Sequence, residues 1–318
     1  MWLPLLVLVA LLLLYRWYRQ SQILENLSGK YVFITGCDTG FGNTLAKQLD
    51  KRGMKVLASC LTEKGAEQLK KETSSQLKTV ILDVADSQSV SSAAKWIANI
   101  VGDRGLWGLV NNAAFGFTFG PNAWQTRADF AKVLNINLVG LFDVTVNLLP
   151  LIMKAKGRIV NVSSCGGRLP NVGGGYCPSK FGVEALSDSL RRELRDFGVK
   201  ISIIEPGAFR TALGVVEPHL KNLERLWTNL PENMKHCFGE QYYYQYAQGL
   251  SSLLGSANPK LYRVTDCMEH ALTAVHPWTR YSPGWDCKLY YLPVSYLPTV
   301  LSDYLLCRSS PKPAHGLM

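Results

Sequence analysis

The feature that most constrains this chain is the regular alternation of short apolar runs and helical patterns between residues 30 and 205. Apolar runs of this length, bounded by Gly or polar residues, are typical of buried strands in a parallel sheet. They occupy residues 31–35, 54–58, 79–82, 106–110, 158–162 and 200–204. Helical patterns lie between them, including 63–71, 87–101, 127–153 and 176–197. The alternation predicts an α/β fold with a doubly wound parallel sheet that helices cover on both faces.

The pattern changes after residue 211. Residues 212–260 are polar and aromatic with weak periodicity, and residues 242–246 read Tyr-Tyr-Tyr-Gln-Tyr. Because doubly wound sheets bind ligands at the carboxyl ends of their strands, we expect this segment to form a substrate lid over that edge. The tyrosine-rich run either lines the mouth of the site or has a core or surface role. A helical pattern returns at 264–275.

The two ends of the chain are apolar. Residues 1–15 carry no charge, and Arg16 and Arg19 follow with Trp17 and Tyr18 between them. About 18 helical residues span roughly 27 Å, enough for a thin bilayer of the endoplasmic-reticulum type. A cleaved signal peptide needs positive charge before the apolar run and small residues after it, and this sequence has neither. We therefore expect an uncleaved anchor at residues 1–18 in the endoplasmic reticulum (microsomal) membrane, with the rest of the chain on the cytosolic side.

The second apolar segment, at residues 289–307, is interrupted by Pro293, Pro298 and Asp303. These interruptions favour core or membrane-surface packing over a second membrane span. We treat residues 289–318 as a hydrophobic C-terminal segment that follows a main domain at residues 29–288.

Charge and cysteine patterns argue against two classes of protein. The net charge is +10, but Lys and Arg are scattered and no basic run reaches five residues, so we expect no nucleic-acid partner. The eight cysteines contain no C-x-x-C pair, and no His lies at zinc-ligand spacing from a cysteine pair. We therefore expect free thiols and no metal. A homodimer remains open.

A glycine-rich turn follows the first predicted strand. Gly36, Gly40 and Gly42 stand between that strand and a helical pattern, with Phe41 between the last two glycines. Glycine permits a tight turn and lets a pyrophosphate approach the backbone N–H groups at a helix N-terminus. The first two glycines are separated by three residues, where the Rossmann fingerprint has one. The context still predicts a dinucleotide site.

Tyr176 and Lys180 are four residues apart at the start of a predicted helix, so they share a face. A free phenol has a pKa of about 10, and bringing it near 7 takes about 4 kcal/mol of phenolate stabilisation. Lys180, a positive nicotinamide and the helix N-terminus can together supply that. A Tyr and a Lys four residues apart are common by chance, but Ser164 at the end of the predicted strand 158–162 strengthens the interpretation of this pair as reacting groups. Ser163 is a competing candidate.

With these residues in place, the chain resembles the short-chain dehydrogenase/reductase family over roughly residues 30–211. The resemblance implies a Rossmann-like fold in which Gly36, Gly40 and Gly42 seat the cofactor. It implies that Tyr176 is the base, that Ser164 binds the reacting oxygen and that Lys180 also holds the nicotinamide ribose. It assigns a relay-water role to Asn137, for which the alternative is a satisfied mid-helix amide. The other cofactor-site residues that it implies are Phe41, Asp83, Asn111, Pro206, Gly207 and Thr211. Ala114 stands where the family usually has glycine.

Asp38 bears on the choice of cofactor. A carboxylate beside the adenosine ribose accepts hydrogen bonds from its hydroxyl groups and repels a 2′-phosphate. The alternative is that Asp38 makes a local side-chain turn. No Arg flanks the end of the second predicted strand, although Lys64 follows. The sequence thus predicts NAD in preference to NADP.

The resemblance is closer to the microsomal retinol dehydrogenases and related 3α/17β-hydroxysteroid dehydrogenases. It rests on residues 35–42, 58–62, 173–177, 187–192 and 280–286, and it departs at Trp278, where those relatives tend to carry Arg. It implies an NAD-dependent short-chain alcohol dehydrogenase that oxidises retinol to retinal, with an apolar substrate drawn from the membrane. Alternatives are hydroxysteroid oxidation as the main activity, carbonyl reduction with NADPH, and a non-catalytic NAD-binding scaffold.

Overall fold

One parallel sheet organises the structure, a computed structural model that describes residues 2–116 and 118–315. Its strand order is β3-β2-β1-β4-β5-β6-β7. The strands are β1 (Tyr31–Ile34), β2 (Lys55–Cys60), β3 (Lys78–Ile81), β4 (Gly108–Asn111), β5 (Arg158–Val162), β6 (Lys200–Ile204) and β7 (Arg280–Tyr281). The helices are α1 (Trp2–Ser21), α2 (Gly40–Lys51), α3 (Glu63–Lys71), α4 (Ser87–Val101), α5 (Arg127–Leu134), α6 (Leu141–Lys154), α7 (Tyr176–Glu193), α8 (Val216–Thr228), α9 (Glu232–Phe238), α10 (Glu240–Gly255), α11 (Tyr262–Thr273), α12 (Leu292–Ser295) and α13 (Thr299–Cys307).

The prediction of a doubly wound parallel sheet is confirmed. Each of the six predicted strands is present, and β7 adds a two-residue seventh strand that is too short to leave an apolar run in the sequence. The helix predicted at 127–153 is divided, because a π-helical stretch (Asn135–Gly140) separates α5 from α6. The strand order reverses between β1 and β4, which is the position where such sheets bind ligands.

Apolar side chains fill both faces of the sheet. One core joins β1 and β2 to α2 and α11, with Leu45 and Met268 fully buried. The other joins the opposite faces of the strands to α4, α6 and α7, with Ile97 and Leu148 buried. Strands β1 and β4 are buried at every position, as expected for a parallel sheet covered on both sides.

Residues 212–260 contain the three helices α8, α9 and α10. The tyrosine-rich run does not line the mouth of the site. Tyr242 and Tyr246 instead pack around Trp124, together with Leu223 and Leu226, in a small core of their own. Tyr244 faces solvent.

Helix α1 projects from the domain with its apolar side chains exposed, Trp2 and Leu13 among them. Its C-terminal end is joined to the domain, because Leu24 N–H donates to the Thr273 carbonyl and Val275 N–H to the Gln22 carbonyl, each at 2.8 Å. The C-terminal segment from residue 289 is also largely exposed, for example at Val300 and Tyr304. Met1 and residues 316–318, which belong to the predicted anchor and C-terminal segment, lie outside the described residues.

The helical stretch Arg127–Lys154 is long and apolar enough to cross a membrane by length and composition alone. Its residues Val144, Leu148 and Ile152 are buried against the sheet. It is therefore a core helix of the domain.

Candidate active site

A cavity of about 520 Å³ opens at the carboxyl ends of the strands, around the reversal between β1 and β4. The predicted site residues that line it are Gly36, Asp38, Gly40, Phe41, Asp83, Ser164, Tyr176, Lys180, Pro206, Gly207 and Thr211. Its remaining wall includes Phe115, Phe119, Val172, Leu213, Leu253, Leu254 and Tyr291. The site thus has a polar floor at the strand ends and an apolar wall that helix α10 helps to build.

The glycine turn has the geometry of a close backbone approach. Gly36 and Gly40 have φ angles of 71° and 66°, which L side chains rarely adopt. A Cβ at Gly36 would lie 2.8 Å from the Ala113 Cα, and one at Gly42 would lie 2.5 Å from the Gly36 carbonyl oxygen. In the part of the chain that the structure describes, the Thr39 side chain forms no capping hydrogen bond with the N-terminus of α2. The first amides of that helix are therefore available to an anion in the cavity.

Asp38 is tied to the loop after β2. Its carboxylate accepts hydrogen bonds from Leu61 N–H at 2.8 Å and from Thr62 N–H at 3.1 Å, and the Thr62 hydroxyl donates to it at 2.7 Å. These partners lie more than twenty residues away, so Asp38 does not make the local turn considered from sequence. It holds a negative charge at the rim of the cavity beside β2.

Ser163 and Ser164 point to different partners. The Ser163 hydroxyl is buried and donates to the Lys180 carbonyl at 3.3 Å. The Ser164 hydroxyl lies beside the Tyr176 phenol in the lining of the cavity, close enough to lower the pKa of that phenol. Gly166 N–H also donates to the Ser164 Oγ at 3.1 Å, which holds that side chain in place. The geometry therefore brings Ser164, and not Ser163, to the phenol.

Burial changes the acidity of both central groups. It raises the pKa of Tyr176, and the nearby Ser164 hydroxyl opposes that rise. It lowers the pKa of Lys180 to about 8, against the opposing effect of the nearby Glu184 carboxylate. The Lys180 ammonium lies 5.7 Å from the centre of the Tyr176 ring and donates to the Val162 carbonyl at 2.8 Å. In the chain by itself, the phenol is therefore protonated.

Asn137 lies behind the cavity, in the π-helical stretch, and is completely buried. Its side-chain oxygen accepts from Phe115 N–H at 2.7 Å, and its amide donates to the Phe115 carbonyl at 2.9 Å and to the Ser179 hydroxyl at 3.0 Å. The side chain thus links the loop after β4 to helix α7. The sequence left open the alternative that the Asn137 amide makes its hydrogen bonds within the protein, and the structure shows such bonds. The relay-water role stays a prediction.

Two of the predicted cofactor residues do not reach the cavity. Gly42 is buried beneath the turn, where its lack of a side chain allows the Gly36 carbonyl to approach. Asn111 lies inside the sheet, where its amide donates to Thr145 and Asn161, each at 2.9 Å. Both support the floor of the site from below.

Four residues near the site were given no role in it from the sequence. Phe119 packs edge-on against Tyr176 at 5.4 Å and stacks on the buried ring of His219 at 4.6 Å. Asp286 accepts from Ala208 N–H at 2.7 Å and thereby braces the loop after β6. No spacing in the sequence relates these residues to Tyr176. Glu184 is different, because it follows Lys180 by one helical turn and that periodicity was available.

The matching family model is the short-chain dehydrogenase model, over residues 30–219. It covers more than half of the chain, and the chain belongs to the short-chain dehydrogenase family.

Several relatives are similar along the whole chain. Retinol dehydrogenase 7 of Rattus norvegicus is 56% identical over 317 residues, covering 100% of both chains. The 17-beta-hydroxysteroid dehydrogenase type 6 of Homo sapiens is 52% identical, also covering 100% of both. Among solved structures, a short-chain dehydrogenase/reductase from Burkholderia phymatum in complex with NAD aligns with a TM-score of 0.70 and 20% identity, over 92% of this chain and 100% of that one. That structure supports the fold alone.

Proposed function

We propose that this protein is an NAD-dependent alcohol dehydrogenase that oxidises retinol, all-trans or cis, to retinal. The observation that carries the proposal is the convergence of Tyr176, Ser164 and Lys180 on a cavity that also has an apolar wall. Such a cavity suits an elongated apolar alcohol that presents one hydroxyl group to the three polar side chains.

The residues fit a nicotinamide dinucleotide. The glycine turn and the N-terminus of α2 suit a pyrophosphate, and Asp38 suits the hydroxyl groups of an adenosine ribose. When bound, the oxidised nicotinamide supplies a hydride acceptor and a positive charge. The Asp38 carboxylate at the rim favours NAD, because it would repel the 2′-phosphate of NADP.

Proton transfer falls to the chain's own side chains. In the proposed mechanism Ser164 holds the substrate oxygen by a hydrogen bond and Tyr176 accepts the hydroxyl proton. Burial raises the pKa of Tyr176, so its phenolate needs positive charge nearby, and the Lys180 ammonium stands on the same face of α7. Asn137 positions α7 against the loop after β4 through its bonds to Ser179 and Phe115.

The arrangement of the chain suits a substrate that partitions into lipid. We infer that residues 1–18 anchor the protein in the endoplasmic reticulum membrane with the catalytic unit, residues 29–288, in the cytosol. Within that unit residues 212–260 act as the substrate lid, since Leu253 and Leu254 of α10 line the cavity. The exposed segment from residue 289 then rests at the membrane surface.

Oxidation of 3α- or 17β-hydroxysteroids is the second candidate. It is favoured by the full-length similarity to 17-beta-hydroxysteroid dehydrogenase type 6, at nearly the same identity as to retinol dehydrogenase 7. Both reactions use the same three polar side chains and differ only in the shape that the apolar wall accepts.

The test is a dehydrogenase assay on membranes that contain the protein. Retinol isomers, 3α-hydroxysteroids and 17β-hydroxysteroids are compared with NAD and with NADP. We expect the highest kcat/KM with a retinol isomer and NAD. A higher kcat/KM with a hydroxysteroid would make that the main activity, and no oxidation of any of them would refute the proposal.

A further inference from the structure

A second cavity lies where α1 meets the domain, away from the cavity at the strand ends. Its volume is about 420 Å³. The lining residues on which the argument depends are Arg16, Arg19, His276, Trp278 and Arg280. One side therefore comes from the last turns of α1, and the other comes from the loop that enters β7.

The side chains around this cavity are cationic and aromatic. The Arg19 guanidinium lies 3.1 Å from the Nδ1 of His276. The guanidinium of Arg16 lies 5.8 Å from the centre of the Trp278 ring, which in turn stacks on Tyr281 at 5.3 Å. The cavity thus combines two arginine forks with an aromatic face.

The positive charges are close enough to oppose one another. The pKa of His276 is lowered by desolvation and by the charges of Arg19 and Lys200. The pKa of Lys200 is lowered by burial, and also by the charges of Arg158 and Arg19. An anion placed among these groups would relieve that repulsion.

The nearby carboxylates do not neutralise these charges. Arg280 forms ion pairs with three carboxylates, those of Glu184, Asp188 and Glu205. These pairs neutralise the charge of Arg280 and of no other arginine at the cavity. Within the part of the chain that the structure describes, Arg16, Arg19 and Lys200 form no ion pair with a carboxylate. The positive charges that no carboxylate neutralises are therefore those of Arg16 and Arg19, on the α1 side of the cavity, and that of Lys200.

We propose that this cavity binds the phosphate of an anionic phospholipid headgroup. Arginine forks match phosphate oxygens bidentately, and a Trp ring suits the headgroup depth of a bilayer. The source is a lipid because Arg16 and Arg19 directly follow the exposed apolar run of α1, which places the cavity at the membrane surface. This step rests on the proposed anchor. The bound lipid would fix the angle between α1 and the domain, since both line the cavity.

The experiment uses the full-length protein in nanodiscs of phosphatidylcholine, alone or with added phosphatidylinositol. Native mass spectrometry counts the lipids retained by the released protein. We expect the wild type to retain one phosphatidylinositol. Removing two charges in Arg16→Gln/Arg19→Gln should weaken retention by roughly tenfold or more, because each basic residue at an anionic surface contributes severalfold. The matched control Lys95→Gln/Arg127→Gln removes two exposed charges elsewhere and should retain the lipid as the wild type does.

A variant that keeps the net charge distinguishes a specific lipid site from general electrostatic attraction to an anionic membrane. Trp278→Leu should also weaken retention by severalfold, since it removes the aromatic wall. Retention that depends on charge alone, or that does not saturate at one lipid, would overturn the proposal. Glycerol 3-phosphate is added as the soluble alternative, and we expect it to leave the thermal unfolding midpoint in phosphatidylcholine nanodiscs unchanged. A rise in the wild type but not in the double variant would assign the cavity to free phosphate compounds instead.

The anchor is tested separately on phosphatidylcholine vesicles. A protein that is washed off these vesicles at alkaline pH has no anchor, which refutes that part of the proposed function. A protein that stays bound but shows no preference for phosphatidylinositol refutes only the lipid site.

Discussion

At the scale of single residues, the site depends on which of two neighbours faces the phenol. The sequence predicted a serine at the end of β5, but the residues themselves left Ser163 and Ser164 open, and only the resemblance favoured Ser164. The structure separates them physically, because successive residues of an extended chain point in opposite directions. The Ser163 hydroxyl donates to the backbone of α7, and the Ser164 hydroxyl faces the Tyr176 phenol.

The preference for NAD over NADP is predicted to depend on the charge of Asp38. Asp38→Asn keeps an oxygen acceptor for the loop after β2 but removes the negative charge. We expect the ratio of kcat/KM with NAD to that with NADP to fall by about tenfold to a hundredfold, because the repulsion of a 2′-phosphate is lost. Thr62→Ala is the control, since it removes one hydrogen bond to Asp38 without changing charge. Steady-state kinetics with both cofactors decide the point, and an unchanged ratio would exclude Asp38 from cofactor choice.

Burial of Lys180 predicts how stability depends on pH. The pKa of Lys180 is lowered to about 8 in the folded chain, whereas an unfolded lysine has a pKa of about 10.4. Between these values the unfolded chain binds more protons, so the free energy of unfolding should rise with pH. Relative to Lys180→Met, the wild type should gain about 1.5 kcal/mol from about pH 8 to about pH 9.5. Urea unfolding of both proteins in detergent measures this, and parallel pH curves would show that Lys180 is not desolvated.

At the scale of elements, the sequence predicted the strands and helices of the sheet from periodicity and glycine position. It did not predict the π-helical stretch at Asn135–Gly140, because i+5 hydrogen bonding leaves no distinct pattern of apolar residues. Contacts with other parts of the fold hold the stretch in place. Gly140 packs so closely on the Val84 carbonyl that a Cβ would lie 2.4 Å from its oxygen, and Asn137 is held by Phe115 and Ser179. Such contacts depend on the assembled fold.

The glycine turn gives a prediction at this scale. Gly36→Ala should weaken nucleotide binding by more than about tenfold or destabilise the fold by several kcal/mol, because φ is 71° and the new Cβ meets backbone atoms of Ala113. Gly29→Ala is the matched control, as its Cβ would meet nothing within 4 Å. Calorimetric titration with NAD, together with thermal unfolding, measures both effects. Equal behaviour of the two variants would show that the turn tolerates a side chain.

At the scale of the whole molecule, the sequence separated residues 212–260 from the sheet but did not predict how this segment is built. The tyrosine-rich run read as a candidate wall of the site, yet it closes a separate core around Trp124. The weak periodicity of the run gave no sign of this core. Trp124, around which the tyrosines pack, is more than one hundred positions earlier in the chain. The two apolar ends of the chain stay exposed, at α1 and from residue 289, which agrees with the proposed membrane contact.

The central claim is that Tyr176 is the base of an alcohol dehydrogenase, and Tyr176→Phe tests it most directly. Tyr291→Phe is the matched control, because it removes a second phenol hydroxyl from a residue that lines the same cavity. With retinol and NAD in membranes, we expect Tyr176→Phe to lower kcat/KM by about 10²–10⁴-fold, with NAD affinity changed by no more than a few-fold. Tyr291→Phe should stay close to the wild type. A Tyr176→Phe protein that retains most of its activity would contradict the account.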